Sequence, residues 1–257
     1  MQTEYDGPRR THFNQRDKNL NEYIDATGIP MRSLGTMYHE FFKRMDYDWW
    51  YEVQPGDVVV DLGACIGMFT LHALDKGAKK VYAVEGSKQN IETTIKNLSP
   101  YWLKHGHCPV VPIHTMIGDK KRYSLKLHNY VYSDEVNLSM MSFKEFLEKY
   151  KIEHIDYLKV DIEGSEYDIF TEENIFFLRN HVKHMSVEFH LNCFREAPWE
   201  WMRVRELIGT HFDLNKVRYM SREDEYEFHG NYDTEFKTGQ WPHNNIFSGF
   251  MLYITNW

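Results

Sequence analysis

From Gln54 onward, short continuous runs of apolar residues alternate with stretches in which apolar residues recur at helical spacing. Continuous β-branched runs such as residues 58–60 are typical of parallel strands that are covered on both faces. The stretches between the runs predict helices, for example one through Met68, Leu71 and Leu74. We interpret as candidate strands the runs 58–60, 81–84, 110–113, 123–127, 155–160, 185–189, 215–219 and 247–254. This alternation predicts an α/β fold with a doubly wound sheet.

Local signals predict where several helices begin and end. Ser87 is expected to cap the helix whose apolar positions are Ile91, Ile95 and Leu98. Residues 142–145 have the Ser-x-x-Glu pattern of a capping box, which predicts another helix start. Gly77 is expected to end the helix that follows the first strand.

Residues 21–53 carry aromatic and methionine side chains at roughly helical spacing. We expect one or two helices that form a packing cap on the main sheet; the alternative is that this cap also lines a substrate entrance. The charged residues 1–20 predict a loose tail. We therefore divide the chain into a tail and N-terminal helical cap, 1–53, and a Rossmann-like domain, 54–257, within a single domain overall.

Composition excludes several classes of protein. The 257 residues suit one α/β domain with an extension, and the net charge of −8 argues against a general nucleic-acid binder. Three cysteines without metal-binding or disulfide spacing fit a reducing compartment. The N-terminus lacks the apolar core of a signal peptide, and no apolar run approaches the roughly 18 residues of a spanning helix. We expect a cytoplasmic protein without a membrane span.

A glycine-containing turn with the spacing Asp61-x-Gly63-x-x-x-Gly67 follows the first strand. Cys65 stands where a dinucleotide fingerprint has its middle glycine, so the turn suits a pyrophosphate poorly. The charge of Asp61 favours a cationic ligand, and the sulfonium and ammonium groups of S-adenosylmethionine fit that requirement. Glu85 follows Gly63 by 22 positions, about the separation at which a carboxylate accepts ribose hydroxyls. The alternative is a structural turn that binds no ligand.

Side chains along residues 155–161 are predicted to alternate between the two faces of the sheet. Leu158 and Val160 face one side, whereas Tyr157, Lys159 and Asp161 face the other. Because an unpaired charge inside a covered strand is costly, we expect a carboxylate beside Lys159.

Four predicted strands end in carboxylates, namely Asp61, Glu85, Asp161 and Glu188. Ligands of open α/β sheets bind beyond these carboxyl ends, so Asp161, Glu188 and the neighbouring His190 are the candidate catalytic residues. His190 could deprotonate a hydroxyl as a general base that Asp161 and Glu188 orient. The same three residues could instead hold a divalent cation, or they could form a hydrogen-bonded structural cluster.

Four segments carry a family resemblance: VVVDLGACIGMFT, VYAVEGSKQNIETTIKNL, IDYLKVDIEGSEYDIF and SVEFH, in that order. Over about residues 54–191 the chain resembles the FkbM-type S-adenosylmethionine-dependent methyltransferases. The resemblance implies a Rossmann-like class I methyltransferase fold, with a seven-stranded, mostly parallel sheet and an antiparallel C-terminal strand. It also implies O-methylation, often of sugars or sugar-bearing metabolites. The cofactor-binding residues expected by position are Asp61, Gly63, Ala64, Gly67, Glu85, Gly86 and Ser87.

We accordingly expect an O-methyltransferase that uses S-adenosylmethionine and acts on a hydroxyl of a sugar, glycan or glycosylated small molecule. A nucleic-acid partner is not expected. The alternatives are a non-catalytic S-adenosylmethionine-binding protein, a nicotinamide oxidoreductase, or a methyltransferase of nucleic acid or protein. Residues 219–247 mix aromatic and acidic side chains, which predicts an acceptor pocket formed with residues 30–50. The same segment could instead be a packed excursion or an oligomer contact.

Overall fold

A computed structural model describes residues 46–119, 139–191, 197–221, 229–231 and 249–257 of the protein. The predicted tail and most of the helical cap, residues 1–45, lie outside these described residues. So do the candidate strand at 123–127 and most of the predicted acceptor segment 219–247. These expectations therefore stay predictions.

The strands and helices alternate along the chain, as the apolar pattern predicts. The strands are β1 Val58–Leu62, β2 Lys80–Glu85, β3 Val110–His114, β4 Met116–Ile117, β5 Met140–Met141, β6 Ile155–Val160, β7 Val182–His190, β8 Val217–Ser221, β9 His229–Asn231 and β10 Gly249–Thr255. The α-helices are α1 Met68–Asp75, α2 Lys88–His105, α3 Phe143–Tyr150, α4 Glu166–Ile169, α5 Ile175–His181 and α6 Ala197–His211. A 3-10 turn, Leu214–Lys216, precedes β8.

The main sheet has the strand order β3-β2-β1-β6-β7-β10-β8-β9, and β4 pairs with β5 in a separate small sheet. Neighbours from β3 to β7 pair in parallel, whereas β10 is antiparallel to both β7 and β8. The expected Rossmann-like, seven-stranded sheet with an antiparallel C-terminal strand is therefore confirmed. The short strand β9, antiparallel to β8, adds an eighth strand at the edge.

Hydrophobic side chains fill both faces of the sheet. Leu158 and Val160 of β6 belong to the larger cluster, which α3 to α6 cover. Tyr157 belongs to the other cluster, together with residues of α1 and α2. The alternation predicted for residues 155–161 is therefore correct. The described part of the expected cap, residues 46–53, contains turns and bends but no helix, so the helical prediction is wrong there. It packs in this second cluster through Tyr47, Trp49 and Val53.

The predicted helix ends agree with the structure. The Ser87 side chain accepts a hydrogen bond from the amide of Asn90 and caps α2, and Ser142 and Glu145 form a complete capping box at α3. The expectation that Ile95 faces the core is wrong, because 45% of this residue is exposed. The buried face of α2 instead includes the polar residues Thr94 and Asn97, which bind carbonyls of the loop after β1.

The described part of the chain contains no helix that is both long and apolar enough to cross a membrane.

Candidate functional site

Strands β1, β2, β6 and β7 run in parallel, so their carboxyl ends lie at one edge of the sheet. The predicted site residues collect there in two groups. One group surrounds the glycine loop between β1 and α1, and the other surrounds the ends of β6 and β7. The backbone of Asp161 connects the two groups, because its amide donates a hydrogen bond to the Leu62 carbonyl.

The glycine loop is pressed against β6. Gly63 has φ +81, and a Cβ atom at this position would lie 1.7 Å from the carbonyl oxygen of Asp161. The amides of Gly63 and Ala64 both donate to the carbonyl of Val84 in β2, at 2.9 Å each. At the other end of the loop, Gly67 caps α1 with φ +85 and leaves no room for a side chain beside Thr94. Only glycine fits at these two positions.

Cys65, at the position where a dinucleotide fingerprint has its middle glycine, has a left-handed backbone conformation. Its φ of +49 lies in the left-handed region, which side chains other than glycine seldom adopt. Side chains of α2 hold this part of the loop: Thr94 donates to the Cys65 carbonyl and Asn97 to the Ile66 carbonyl, both at 2.8 Å. Burial raises the pKa of the Cys65 thiol to about 12. The side chain of Cys65 is therefore a neutral thiol that lines the loop.

Glu85 ends β2 beside the loop and is half-buried. Its Oε2 accepts the amide of Cys65 at 2.9 Å, and its Oε1 accepts the amide of Ser87 at 2.7 Å. Burial raises the pKa of Glu85, although these two hydrogen bonds oppose the shift. Gly86 lies between Glu85 and Ser87, and its carbonyl contacts Nε2 of His114 at 3.0 Å. The carboxylate is thus fixed in one orientation at the mouth of the loop.

Asp61 lies beneath the loop and is completely buried. Its Oδ2 accepts the Thr70 hydroxyl at 2.7 Å, and its Oδ1 lies 3.2 Å from Nζ of Lys159. This pair is the carboxylate partner that the sequence predicts for Lys159. The same ammonium donates to the Gly63 carbonyl at 2.6 Å. Burial lowers the pKa of Lys159, but the charges of Asp61 and Asp161 outweigh burial and raise the pKa above its usual value. The ammonium therefore stays charged.

His190 lies among carboxylates at the end of β7. Its Nδ1 is 2.8 Å from Oε1 of Glu166, and its Nε2 is 3.2 Å from Oε1 of Glu188. Carboxylate oxygens of Glu163 and Asp161 lie 3.6 and 3.9 Å from the same Nε2. Burial lowers the pKa of His190, but the charges of Glu166 and Glu188 outweigh it and hold the pKa well above its usual range. The predicted candidates Asp161, Glu188 and His190 are therefore brought together around a protonated ring.

Glu166 fixes this ring. It is completely buried at the start of α4, and its carboxylate accepts the amides of Ile162 and Gly164 at 2.9–3.1 Å. The hydroxyl of Tyr167 donates to the His190 carbonyl at 3.0 Å. Both the ring and the backbone of His190 are therefore held by the segment that follows β6.

Three ligand atoms at the site lie close enough to one another for a metal ion. They belong to Asp161, Glu163 and His190 and lie within 4.8 Å of one another. The grouping contains Glu163 in place of the predicted Glu188, whose Oε1 contacts His190 directly. Glu163 has φ +53, in the left-handed region that residues other than glycine seldom adopt.

Sequence reasoning missed three neighbours of the predicted residues. Glu163 and Glu166 lie two and five positions after Asp161 in the segment IDYLKVDIEGSEYDIF, and this short spacing is the signal that the sequence offers. Tyr47 lies 114 positions before Asp161, yet its hydroxyl donates to Oδ2 of that residue at 2.9 Å. A contact at that separation leaves no local pattern in the sequence.

Comparisons with known proteins identify a family for most of the chain. Residues 61–228 match the family described as "Methyltransferase FkbM domain". A curated relative, the probable cobalt-precorrin-6B C(15)-methyltransferase (decarboxylating) of Methanococcus vannielii, is 41% identical over 51 residues. That match spans 20% of this chain and 28% of the relative, well under two thirds of the relative's length.

Two solved structures resemble the fold. Methyltransferase FkbM from Methylobacillus flagellatus has a TM-score of 0.47 at 13% identity, over 91% of this chain and 56% of the other. Precorrin 8W decarboxylase from Methanobacterium thermoautotrophicum has a TM-score of 0.43 at 17% identity, over 91% of this chain and 97% of the other.

Proposed function

We propose that this chain, which belongs to the methyltransferase FkbM domain family, methylates a hydroxyl group with S-adenosylmethionine as donor. The acceptor in this proposal is a sugar, a glycan or a glycosylated small molecule. The main support for this proposal is the position of the Asp161, Glu188 and His190 side chains beside the glycine loop. A cofactor in the loop and an acceptor at the cluster would be neighbours across the edge of the sheet.

The loop residues fit the cofactor. The oriented carboxylate of Glu85 accepts two amides, and a carboxylate offers about four acceptor positions, so two remain for ribose hydroxyls. Residues 63–67, with Gly86 and Ser87 beside them, would form the rest of the pocket. Because Asp61 is buried against Lys159 and Thr70, we assign it a supporting role beneath the loop. When bound, the cofactor supplies an electrophilic methyl group.

The acid cluster supports the acceptor half of the reaction. Asp161 keeps 25% of its side chain exposed, whereas Glu188 is 3% exposed, so Asp161 is better placed to meet an acceptor. The raised pKa of His190 leaves its ring protonated, without a lone pair to accept a second proton. We therefore assign proton acceptance to Asp161. Asp161 would take the hydroxyl proton as the acceptor oxygen receives the methyl group, whose bond to the donor sulfur would break and leave neutral S-adenosylhomocysteine. Glu188 and the charged His190 would orient the acceptor.

The charge of the site favours neutral acceptors. The acidic side chains of Asp161, Glu163, Glu166 and Glu188 surround the single imidazolium of His190, although burial raises the pKa of Glu163 to about 7. Phosphate or carboxylate groups on an acceptor would be repelled there. The hydroxyls of an uncharged sugar can instead donate to these acceptor oxygens.

A transfer assay tests the proposal. The protein is incubated with S-adenosylmethionine labelled in its methyl group and with neutral glycans, glycosylated small molecules, phosphorylated sugars, RNA and a protein mixture. Label that is found in a neutral glycan or glycoside, and that resists alkaline hydrolysis as an O-methyl ether does, supports the proposal. Label in RNA or protein alone contradicts the acceptor class. Binding of S-adenosylhomocysteine in calorimetry without transfer to any acceptor favours the non-catalytic alternative.

The same assay tests the predicted divalent cation. Activity that survives a chelator and does not rise with added Mg²⁺ or Mn²⁺ would remove the cation from the proposal. Loss on chelation with recovery on adding the ion would show that the reaction needs the cation, for which Asp161, Glu163 and His190 offer the candidate ligand atoms.

A further inference from the structure

Hydroxyl groups from three neighbouring strands hold the chain segment before β1. Tyr157 of β6 and Ser186 of β7 donate to the carbonyl of Tyr47, the latter at 3.4 Å. Tyr253 of β10 donates to the carbonyl of Asp46 at 2.5 Å. These contacts join β6, β7 and β10 to two successive peptide groups. The backbone at Tyr47 is therefore fixed across the middle of the sheet.

The side chain of Tyr47 points from this anchor into the acid cluster. Its hydroxyl lies 2.9 Å from Oδ2 of Asp161 and 3.3 Å from Oε2 of Glu188. Its ring covers the ammonium of Lys159, whose Nζ is 5.4 Å from the ring centroid. The residue is 2% exposed, so these contacts are made away from bulk water.

We infer that Tyr47 is a positioning residue of the active site, which holds the carboxylates of Asp161 and Glu188 in the arrangement that meets the acceptor. In its consequence for catalysis, this inference rests on the proposed function. It goes beyond the family match, which begins at residue 61 and does not include Tyr47.

The physical reason is the competition for Asp161. Its carboxylate has three partners within reach: the Tyr47 hydroxyl at 2.9 Å, Lys159 at 3.7 Å and His190 at 3.9 Å. The hydroxyl is the nearest, and it also contacts Glu188, so it ties the two like-charged groups to one donor. Without it, each carboxylate turns toward a cation, Asp161 toward Lys159 and Glu188 toward His190. The oxygen that should receive the acceptor proton then leaves its position.

Tyr47→Phe tests the inference, because it removes the hydroxyl and keeps the ring. Tyr51→Phe is the matched control: it removes the same atom four residues later, where the ring stacks on His184 near the start of β7. The first readout needs no acceptor. It is the His190 ring resonances in histidine-labelled protein, assigned by their loss in His190→Gln. We expect them to shift in Tyr47→Phe and to stay in place in Tyr51→Phe.

The second readout is kinetic and uses the acceptor found in the transfer assay. For Tyr47→Phe we expect kcat to fall by roughly 10²-fold, the effect of a misplaced catalytic group, with unchanged affinity for S-adenosylhomocysteine. Unshifted His190 resonances overturn the inference whether or not an acceptor is known. Shifted resonances with unchanged kcat also overturn it. If no acceptor is found, the proposed function fails, but the resonance test still decides the position of the carboxylates.

A fourth variant, Asp161→Asn, covers failure of Tyr47→Phe to fold. In the otherwise unaltered protein, Asp161→Asn should shift the ring resonances of Tyr47 and leave those of Tyr51 unchanged. Unchanged Tyr47 resonances in that variant would overturn the inference.

Discussion

Lys159 lies with its ammonium nitrogen 3.2 Å from the carboxylate of Asp61, and both side chains are at most 2% exposed. Because water cannot solvate either group at this depth, each charge is compensated by the other. The same ammonium also donates a hydrogen bond to the Gly63 carbonyl. The pair therefore joins the centre of the sheet to the loop above it. A charge that loses its partner at this depth is expensive.

Lys159→Met should destabilise the protein by roughly 3–5 kcal/mol, because it leaves the Asp61 carboxylate buried without a cation. The double variant Lys159→Met with Asp61→Asn should be less destabilised than the single Lys159→Met, since no charge then remains unpaired. Urea denaturation of the unaltered protein, both single variants and the double variant measures this coupling. Additive losses would show that the two charges do not depend on each other.

Gly63→Ala should be far more damaging than Gly56→Ala. Both glycines have a positive φ, but a Cβ at Gly56 meets nothing within 4 Å, whereas one at Gly63 meets the Asp161 carbonyl at 1.7 Å. The control therefore carries only the backbone cost, about 1–2 kcal/mol, and Gly63→Ala adds displacement of the loop from β6. Thermal unfolding and calorimetric binding of S-adenosylhomocysteine measure both effects. Equal losses in the two variants would contradict the close approach of loop and strand.

Glu85→Gln should weaken binding of S-adenosylmethionine and S-adenosylhomocysteine. Hydrogen bonds to a charged acceptor contribute about 1.5–3 kcal/mol each, so loss of one corresponds to roughly a 10- to 100-fold rise in Kd. Glu92→Gln is the control, because Glu92 is an exposed residue on α2 whose carboxylate lies 3.9 Å from the ammonium of Lys88. Unchanged affinity in Glu85→Gln would remove Glu85 from the cofactor site.

His184 should make stability depend on pH below its ordinary pKa. Burial, reinforced by the charge of Lys183, lowers the pKa of His184 from 6.5 to about 3 in the folded protein. Between these values the unfolded chain binds a proton that the folded protein does not, so the stabilising contribution present above pH 6.5 is lost as pH falls. The slope is at most about 1.4 kcal/mol per pH unit.

His184→Phe tests this expectation, since it retains a ring to stack on Tyr51 and removes the titrating group. Urea denaturation between pH 7 and pH 5 should give a flatter curve for the variant than for the unaltered protein. Parallel curves would contradict the lowered pKa.

The sequence predicts most of the fold because the deciding signals are local. Continuous apolar runs mark β1, β2 and β6, and the serine caps mark the starts of α2 and α3. The exposure of Ile95 was missed because the buried face of α2 is set by Thr94 and Asn97, which bind loop carbonyls. Hydrophobic spacing alone does not register polar residues that face inward for this purpose.

The sequence also predicts which strand-end acids meet, but not what surrounds them. Parallel strands bring Asp161 and Glu188 to one edge, and this follows from strand order. Tyr47 reaches the same place only because β6, β7 and β10 hold its backbone, which is a property of the assembled sheet. The raised pKa of His190 likewise depends on Glu166, whose position is set by the turn after β6.

Asp161→Asn tests most directly whether Asp161 receives the acceptor proton during methyl transfer. The variant removes the proton acceptor with little change in shape. The decisive measurement is the rate of labelled methyl transfer to the neutral hydroxyl acceptor, with affinity for S-adenosylhomocysteine measured on the same sample. We expect kcat to fall by about 10²–10⁴-fold, while the affinity for S-adenosylhomocysteine stays within about twofold of that of the unaltered protein. Transfer at the unaltered rate by a variant that still binds the cofactor would contradict the account.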